Sequence, residues 1–204
     1  CLSLYRAIQE NYEIKTLMTM CREDGLKSRS HGLSPEILTA QAKSLDLDLI
    51  LCSATWDDYE SIFKTQMSKF EREHYEVGIF GDIDLEPHKT WVLDALAHTE
   101  MIAHHPIWQE SRRSLIEEFI DLGFEAIIVT VNTDLIDTSF LGRTFNHELI
   151  SELESVGVDA CGENGEFHTV VTNGPIFKQP LNLIISDTIK KDQYLMLNLE
   201  LASN

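Results

Sequence analysis

Basic residues are scarce in this chain. It has 16 lysines and arginines against 34 aspartates and glutamates, for a formal net charge of −18 at pH 7. A protein that wraps nucleic acid neutralises phosphates with basic side chains, so this balance argues against direct nucleic-acid binding. It leaves room for a local basic pocket that binds a nucleotide. Solubility is the simplest explanation of the acidity, and a basic partner surface is the alternative.

Long apolar segments and paired cysteines are also missing. No apolar run approaches the roughly 20 residues that span a bilayer, and no signal peptide opens the sequence. Cys1, Cys21, Cys52 and Cys161 are widely scattered and include no CxxC pair. This spacing is typical of reduced thiols rather than of a disulfide framework or a zinc site. We therefore expect a cytoplasmic protein without membrane contact.

The first half of the chain alternates strand and helix patterns. Apolar runs predict strands at 14–21, 47–54, 75–83 and 101–103. One of the intervening helices is introduced by Ser34-Pro35-Glu36, which supplies an N-cap, a first-turn proline and an early acid. Strands that alternate with helices form parallel sheets covered by helices. We therefore expect an α/β nucleotide-binding domain over residues 1–110.

The second half, residues 111–204, has a different pattern. Helices are predicted at 111–122 and 145–156, around a strong buried strand at 124–131. The remainder is predicted to be β structure, with a hairpin around the acidic residues 161–169, a turn at Asn173-Gly174-Pro175 and strands at 181–186 and 194–201. We expect a smaller mixed α+β domain, with a cleft between the two halves.

One motif concentrates unusual residues: Cys161-Gly162-Glu163-Asn164-Gly165-Glu166-Phe167-His168-Thr169. Its glycines allow a ligand to approach the main chain closely. Glu163 and Glu166 are three apart around a turn, so both could point at one ligand, such as an amine, a metal-bound phosphate or a proton in transit. A solvated acidic hairpin loop is the competing interpretation, because short Gly/Glu loops are common.

Three loops follow predicted strands, where open parallel sheets bind ligands. They are Ser28-Arg29-Ser30-His31-Gly32, Gly81-Asp82-Ile83 and His104-His105-Pro106-Ile107-Trp108. Together they supply a flexible glycine for phosphates, an acid for a metal ion or ribose, and a flat wall for a base. Each has a structural alternative. Gly81-Asp82 also fits a capped turn, the histidines lack a third metal ligand, and Trp108 also fits a core position.

The order of the motifs along the chain is distinctive. Toward the C-terminus it has Gly81-Asp82-Ile83, Trp91, Pro106-Ile107-Trp108, Leu141-Gly142-Arg143, the 161–169 motif and Gly174-Pro175-Ile176-Phe177. This order resembles the diphthine–ammonia ligase family, which are N-type ATP pyrophosphatases of the adenine nucleotide alpha hydrolase, or PP-loop, superfamily. Each motif alone is weak, but the resemblance covers nearly the whole chain.

The resemblance implies a HUP/Rossmann-like domain and an AMP-forming acid–ammonia ligase. ATP, accompanied by Mg²⁺, is expected against Met20, His31, Gly32, Gly81 and Asp82. Catalysis is expected from Glu163, Asn164, Glu166 and Thr169, and acceptor binding from His105, Trp108, Arg143 and His168. No metal site built by the protein alone is expected. The family's phosphate loop, of the type Ser-Gly-Gly-Lys-Asp-Ser, would lie just upstream of Cys1.

Two departures leave the acceptor open. The family motif reads Glu-Gly-Gly-Glu-(Phe/Tyr)-Glu-(Thr/Ser), and Asn164 stands for a glycine. Asn tolerates positive φ, so the backbone is expected to be preserved. His168 stands for an acid and titrates near neutrality. The implied substrates are ammonia and diphthine on translation elongation factor 2, with a homodimer as one option. The alternatives are a different carboxylate, a tRNA base or a metabolite as acceptor, or a nucleotide sensor without turnover.

Overall fold

The computed structural model describes residues 1–29 and 31–202, so Ser30 of the predicted 28–32 loop lies outside the described residues. Its helices are α1 (Leu2–Gln9), α2 (Pro35–Ser44), α3 (Tyr59–Arg72), α4 (Glu86–Leu96), α5 (Arg112–Asp121) and α6 (His147–Ser155), with a 3-10 helix at Thr138–Phe140. Its strands are β1 (Thr16–Cys21), β2 (Asp48–Ser53), β3 (Val77–Ile79), β4 (Ile102–His104), β5 (Glu125–Asn132), β6 (Phe167–Asn173), β7 (Leu183–Lys191) and β8 (Tyr194–Leu201). The predicted mixed α/β character is confirmed.

The first half contains two separate parallel strand pairs. β1 pairs with β2 along its whole length, and β3 pairs with β4 over three residues. The parallel arrangement is confirmed, but the expectation of one sheet is not met within the described chain. Paired strands of one sheet lie about 4.8 Å apart. Residues of β1 and β3 instead line the same cavity of about 760 Å³, so this cavity lies between the two strand pairs. β3 is also shorter than predicted and ends two residues before Gly81.

Local capping explains where several helices begin. Ser34 accepts a hydrogen bond from the Ile37 N–H, and Pro35 occupies the first turn of α2, as the sequence predicted. Asn146 caps α6 in the same way. Asp58 stands at the N-cap position of α3, but its carboxylate instead accepts hydrogen bonds from the backbone and hydroxyl of Thr55. That carboxylate therefore stabilises the turn before α3 rather than the helix.

The second half forms one antiparallel sheet in the order β6-β5-β8-β7. The prediction of a hairpin around the 161–169 motif is wrong. Residues 157–166 form a turn-rich loop that leads from α6 into β6. β6 pairs with β5, which lies before α6 in the chain, so no strand within the motif pairs with it. The local hairpin is β7–β8, in which β7 extends beyond the predicted 181–186. The turn at Gly174 is present, since its carbonyl accepts a hydrogen bond from the Phe177 N–H at 3.0 Å, and a Cβ at Gly174 would lie 2.2 Å from the Phe124 ring.

The two halves share hydrophobic clusters. Ile37 and Leu38 of α2 pack with Val129, Val170 and Leu199 of the antiparallel sheet. A larger cluster joins Leu2, Ile83 and Ile107 to the aromatic side chains of the second half. A third cluster packs α3 and α4 against residues of the β1–β2 pair and of β4, and it belongs to the first half alone. The domain boundary near residue 110 stays a prediction. The shared clusters pack the second half against the loops that follow β3 and β4.

Candidate functional site

Two adjoining cavities lie where the halves meet. The larger, of about 760 Å³, is called the cleft here, and the smaller, of about 250 Å³, is called the side cavity. Five residues line both: Cys1, Ser3, Gly81, Thr169 and Val171. The side cavity is mostly apolar, with Glu163 as its carboxylate. The cleft can therefore hold a large ligand, and the side cavity can hold a smaller ligand directly beside it.

The cleft gathers part of the predicted nucleotide site. Met20 of β1, His31 and Gly81 line it. His31 also packs against His168 of β6, with ring centroids 5.3 Å apart. Desolvation, followed by the neighbouring His168, lowers the pKa of His31, and desolvation lowers the pKa of His168. Both shifts favour the neutral imidazole.

The Glu166 carboxylate makes its hydrogen bonds within the loop that contains it. Glu166 is 6% exposed, and its carboxylate accepts hydrogen bonds from the backbone N–H and side-chain amide of Asn164, both at 3.1 Å, and from the backbone of Asp159. Asn164 does not adopt positive φ. Gly162 and Gly165 do, at +70° and +82°. The expected reason for tolerating Asn164 is therefore wrong: its backbone is ordinary, and its amide contributes a hydrogen bond.

Glu163 is the carboxylate that borders the side cavity. Burial raises the pKa of Glu163 above its usual value, the Arg112 guanidinium opposes that rise, and Asp159 and Asp84 add to it. The two glutamates of the motif are thus not equivalent, since one faces a cavity and the other holds the loop. Burial, Asp159 and Glu163 raise the pKa of the nearby Cys161 thiol to about 12, which favours the protonated thiol at pH 7.

Arg112, at the start of α5, ties the motif to the first half of the chain. Its guanidinium donates to both oxygens of Asp84, at 2.7 and 2.6 Å, and to Asp159. Asp159 in turn accepts backbone hydrogen bonds from Cys161 and Glu163, each at 3.1 Å. One charged network therefore sets the position of the Glu163 backbone. Sequence reasoning missed this arginine, because its two carboxylate partners are 28 and 47 residues away.

Asp82 and His105 form a second charged contact beside the cleft. His105 Nε2 lies 3.2 Å from Asp82 Oδ2 but outside hydrogen-bond geometry, and the imidazole is almost completely buried. Burial lowers the pKa of His105, and Asp82 opposes that fall. Trp108 packs edge-on to His105, and the Lys89 ammonium lies 4.3 Å from the Trp108 ring centroid. The predicted site residues Asp82, His105 and Trp108 thus lie close together, but none of them lines either cavity.

Two further predicted residues lie away from the cavities. Gly32 has a left-handed φ of +69° next to His31 but is not part of either lining. Arg143 makes a bidentate ion pair with Glu152, and its guanidinium lies 5.5 Å from the Phe140 ring centroid. Conversely, the cleft is lined by Ser3 and Trp56, which sequence reasoning did not select, and by Arg29 of the predicted 28–32 loop, which was not assigned a role. An exposed tryptophan after a strand is the one signal that could have identified Trp56.

Over residues 1–29 and 31–202, the structure has no group of three or more His, Cys, Asp or Glu side chains that could hold a metal ion. The described part of the chain also has no helix that is both long and apolar enough to span a membrane. The cavities must therefore be interpreted through their shape, their few polar groups and the loop chemistry.

Comparison with known proteins gives consistent matches along the chain. Residues 1–99 match the family model of the diphthamide synthase N-terminal domain, and residues 111–199 match that of the diphthamide synthase C-terminal domain. A diphthine–ammonia ligase of Rattus norvegicus is 24% identical over 93% of this chain and 80% of its own length. The Danio rerio and Homo sapiens proteins of the same name are also 24% identical. The matches cover 80% and 74% of this chain, and 66% and 58% of those proteins.

Proposed function

The chain belongs to the diphthamide synthase family, and from that premise we propose that it is an ATP-dependent diphthine–ammonia ligase. The observation that carries the proposal is the pair of adjoining cavities, one large and one bordered by the Glu163 carboxylate. A nucleotide fits the larger volume, which reaches the carboxyl end of β1, where parallel strand pairs bind ligands. Ammonia and the acceptor carboxylate would meet at the side cavity.

The proposed reaction has two steps. The acceptor carboxylate attacks the α-phosphorus of ATP, which forms an acyl-adenylate and releases pyrophosphate. Ammonia then attacks the acyl carbon and AMP leaves, so that an amide and one proton are produced. Most of the rate enhancement would come from positioning the reactants and from stabilising phosphate charge. Gly81 and Thr169, which line both cavities, lie where the two substrates would meet.

Glu163 is the proposed proton acceptor for ammonium. A carboxylate binds the ammonium ion as a counter-ion and then accepts its proton, which leaves the amine nucleophilic. Its raised pKa makes the carboxylate a stronger base than an exposed glutamate. We assign Glu166 and Asn164 a positioning role, because their hydrogen bonds are made to one another. Acceptor contacts at His105, Trp108, Arg143 and His168 remain proposals.

Magnesium is proposed to enter with the nucleotide. Since the described residues include no cluster of three metal-binding side chains, a Mg²⁺ ion would be coordinated mainly by phosphate oxygens and water. When bound, the ion would neutralise phosphate charge. The protein's own contribution would be to orient the nucleotide along the cleft.

Elongation factor 2 is the proposed protein substrate, and a cytoplasmic homodimer is a further proposal. Support for the dimer comes from β7, which forms the outer edge of the antiparallel sheet and exposes Ile184, Ile185 and Ile189. An exposed apolar edge strand favours pairing with another chain.

The test of the acceptor is isotope incorporation. Full-length protein is incubated with ATP, Mg²⁺, ¹⁵N-ammonium and elongation factor 2 that carries diphthine, and the modified peptide is examined by mass spectrometry. We expect one ¹⁵N atom per factor, only when ATP is present. Consumption of ATP without label in the peptide would reject this acceptor and favour a different carboxylate.

A further inference from the structure

Arg29 and Trp56 form a stacked pair at the mouth of the cleft. The Arg29 guanidinium carbon lies 4.4 Å from the Trp56 ring centroid, and both residues line the cleft. Arg29 follows the end of β1, and Trp56 follows the end of β2. Although they are 27 residues apart, the parallel pairing of β1 with β2 brings their loops together at the carboxyl end of the strands.

Arg29 is held rigidly but has no tight carboxylate partner. Its side chain is only 9% exposed, and Nη2 donates to the Ala54 carbonyl. The one carboxylate within 4.0 Å, among the described residues, is that of Glu23, at 3.6 Å from Nη2. Nε is buried and has no hydrogen-bond partner there. By contrast, Arg6 and Arg112 each bind two carboxylates, so Arg29 is a cleft arginine whose charge is left available.

Trp56 offers an aromatic surface to solvent. It is 74% exposed, the highest value among the exposed large hydrophobic residues of the described chain. Tyr59 flanks it at 5.9 Å between ring centroids, with an interplanar angle of 32°. Isolated exposed apolar residues are common on protein surfaces. This one differs, because a buried arginine is stacked on it and it borders the cleft, the larger of the two cavities described. A guanidinium on an indole orients the ring and adds a cation–π attraction.

We propose that Trp56, oriented by Arg29, is the platform on which the adenine base of ATP stacks. The inference rests on the proposed function, since it assigns the base end of the same nucleotide. An exposed indole provides a flat surface for a purine, and stacking tolerates any base with a π-face. Arg29 keeps the indole in place and brings positive charge to a strongly acidic protein. Trp56 is then a nucleotide-binding residue, and Arg29 is a positioning residue.

The test is nucleotide affinity, measured by calorimetry on full-length protein. Trp56→Ala is expected to weaken binding of a non-hydrolysable ATP analogue and of AMP by about 10-fold or more. Trp56→Phe should retain most of the affinity. Arg29→Lys, which keeps the charge but loses the planar stack, should weaken binding by several-fold. Val156→Ala and Arg72→Ala are the matched controls, since both residues lie outside the cleft lining.

Inorganic tripolyphosphate separates base binding from phosphate binding. The proposal predicts that Trp56→Ala binds tripolyphosphate with the same affinity as the wild type. ATP should also quench the tryptophan fluorescence of the wild type, and it should do so much less in Trp56→Phe. Equal weakening of ATP and tripolyphosphate would overturn the platform, since the pair would then bind phosphate. Unchanged ATP affinity in Trp56→Ala, with normal binding by the wild type, would overturn the platform alone. A wild-type protein that binds no ATP would overturn both this proposal and the proposed function.

Discussion

Glu163 and Glu166 are three residues apart and have identical side chains, yet their surroundings differ, and we infer different roles for them. Glu163 borders the side cavity and has a raised pKa, because it is partly buried and lies near Asp159 and Asp84. Glu166 is buried with three hydrogen-bond donors around it. At the residue scale, the account therefore predicts opposite effects when each is changed to glutamine.

Glu163→Gln should lower amide formation by about 10²-fold or more, because it removes the proposed base. Folding stability should not fall. A carboxyl whose pKa is raised by folding stabilises the protein below its unfolded pKa and loses that contribution as pH rises through the folded pKa. The ionised form is therefore unfavourable at pH 7, and Gln relieves it. Wild-type turnover should also fall as pH drops through the raised pKa. Steady-state rates across pH and thermal melts at pH 7 check these effects.

Glu166→Gln is the matched comparison. One of its side-chain atoms would become an N–H donor that faces the donors of Asn164, so about 1–3 kcal/mol of stability should be lost. ATP affinity should stay within a few-fold of the wild type, since the loop lies at the side-cavity end. If Glu163→Gln turned over at the full rate, or if Glu166→Gln melted like the wild type, the division of roles would be wrong.

At the scale of elements, Arg112 connects the start of α5 to the loop after β3 and to the loop before β6. Arg112→Ala should cost about 1–3 kcal/mol, since the nearly buried Asp159 carboxylate loses its charged partner. Turnover should fall by about 10-fold, because the Glu163 backbone loses its anchor, while ATP affinity should be almost unchanged.

Arg113→Ala is the control for this change. The neighbouring arginine pairs with Glu117 and Glu154, and its side chain is 40% exposed, so its removal should barely change stability and should leave turnover intact. Chemical denaturation and steady-state kinetics measure both quantities. Equal behaviour of the two variants would show that the Arg112 network does not position the loop.

The sequence predicted those elements correctly whose defining residues are close together in the chain. The Ser34 cap and the adjacent Pro35 predicted α2 correctly, because both act within one turn. The hairpin around 161–169 was mispredicted because the partner of β6 is β5, some 40 residues earlier. The residue types of the motif predicted a candidate site, but the inward orientation of Glu166 depends on its hydrogen bonds with Asp159 and Asn164. Arg29 belonged to a predicted ligand loop, but its contact with Trp56 depends on the pairing of β1 with β2 and could not be predicted from the sequence.

At the scale of the whole molecule, the shared hydrophobic clusters predict that the two halves unfold together. Ile37 on α2 is 1% exposed and packs against Val129 and Val170. Ile37→Ala should therefore cost about 2–5 kcal/mol. All three tryptophans lie in the first half, so their fluorescence reports on that half, whereas far-ultraviolet circular dichroism reports on both.

The two signals should shift together in Ile37→Ala, as expected of one cooperative unit. Leu93→Ala, at a 49% exposed position on α4, is the control and should change stability by less than about 0.5 kcal/mol. Two separated transitions would show that the halves are independent and would favour a domain boundary near residue 110.

The most direct test of the central claim is the identity of the nucleotide product. Full-length protein is incubated with ATP, Mg²⁺, ammonium and diphthine-bearing elongation factor 2, and nucleotides are separated by chromatography while pyrophosphate and amide are quantified. The account predicts AMP and pyrophosphate in equal amounts, matched by amide in the wild type and greatly reduced in Glu163→Gln. ADP and phosphate as the dominant products, formed in step with the amide, would contradict it.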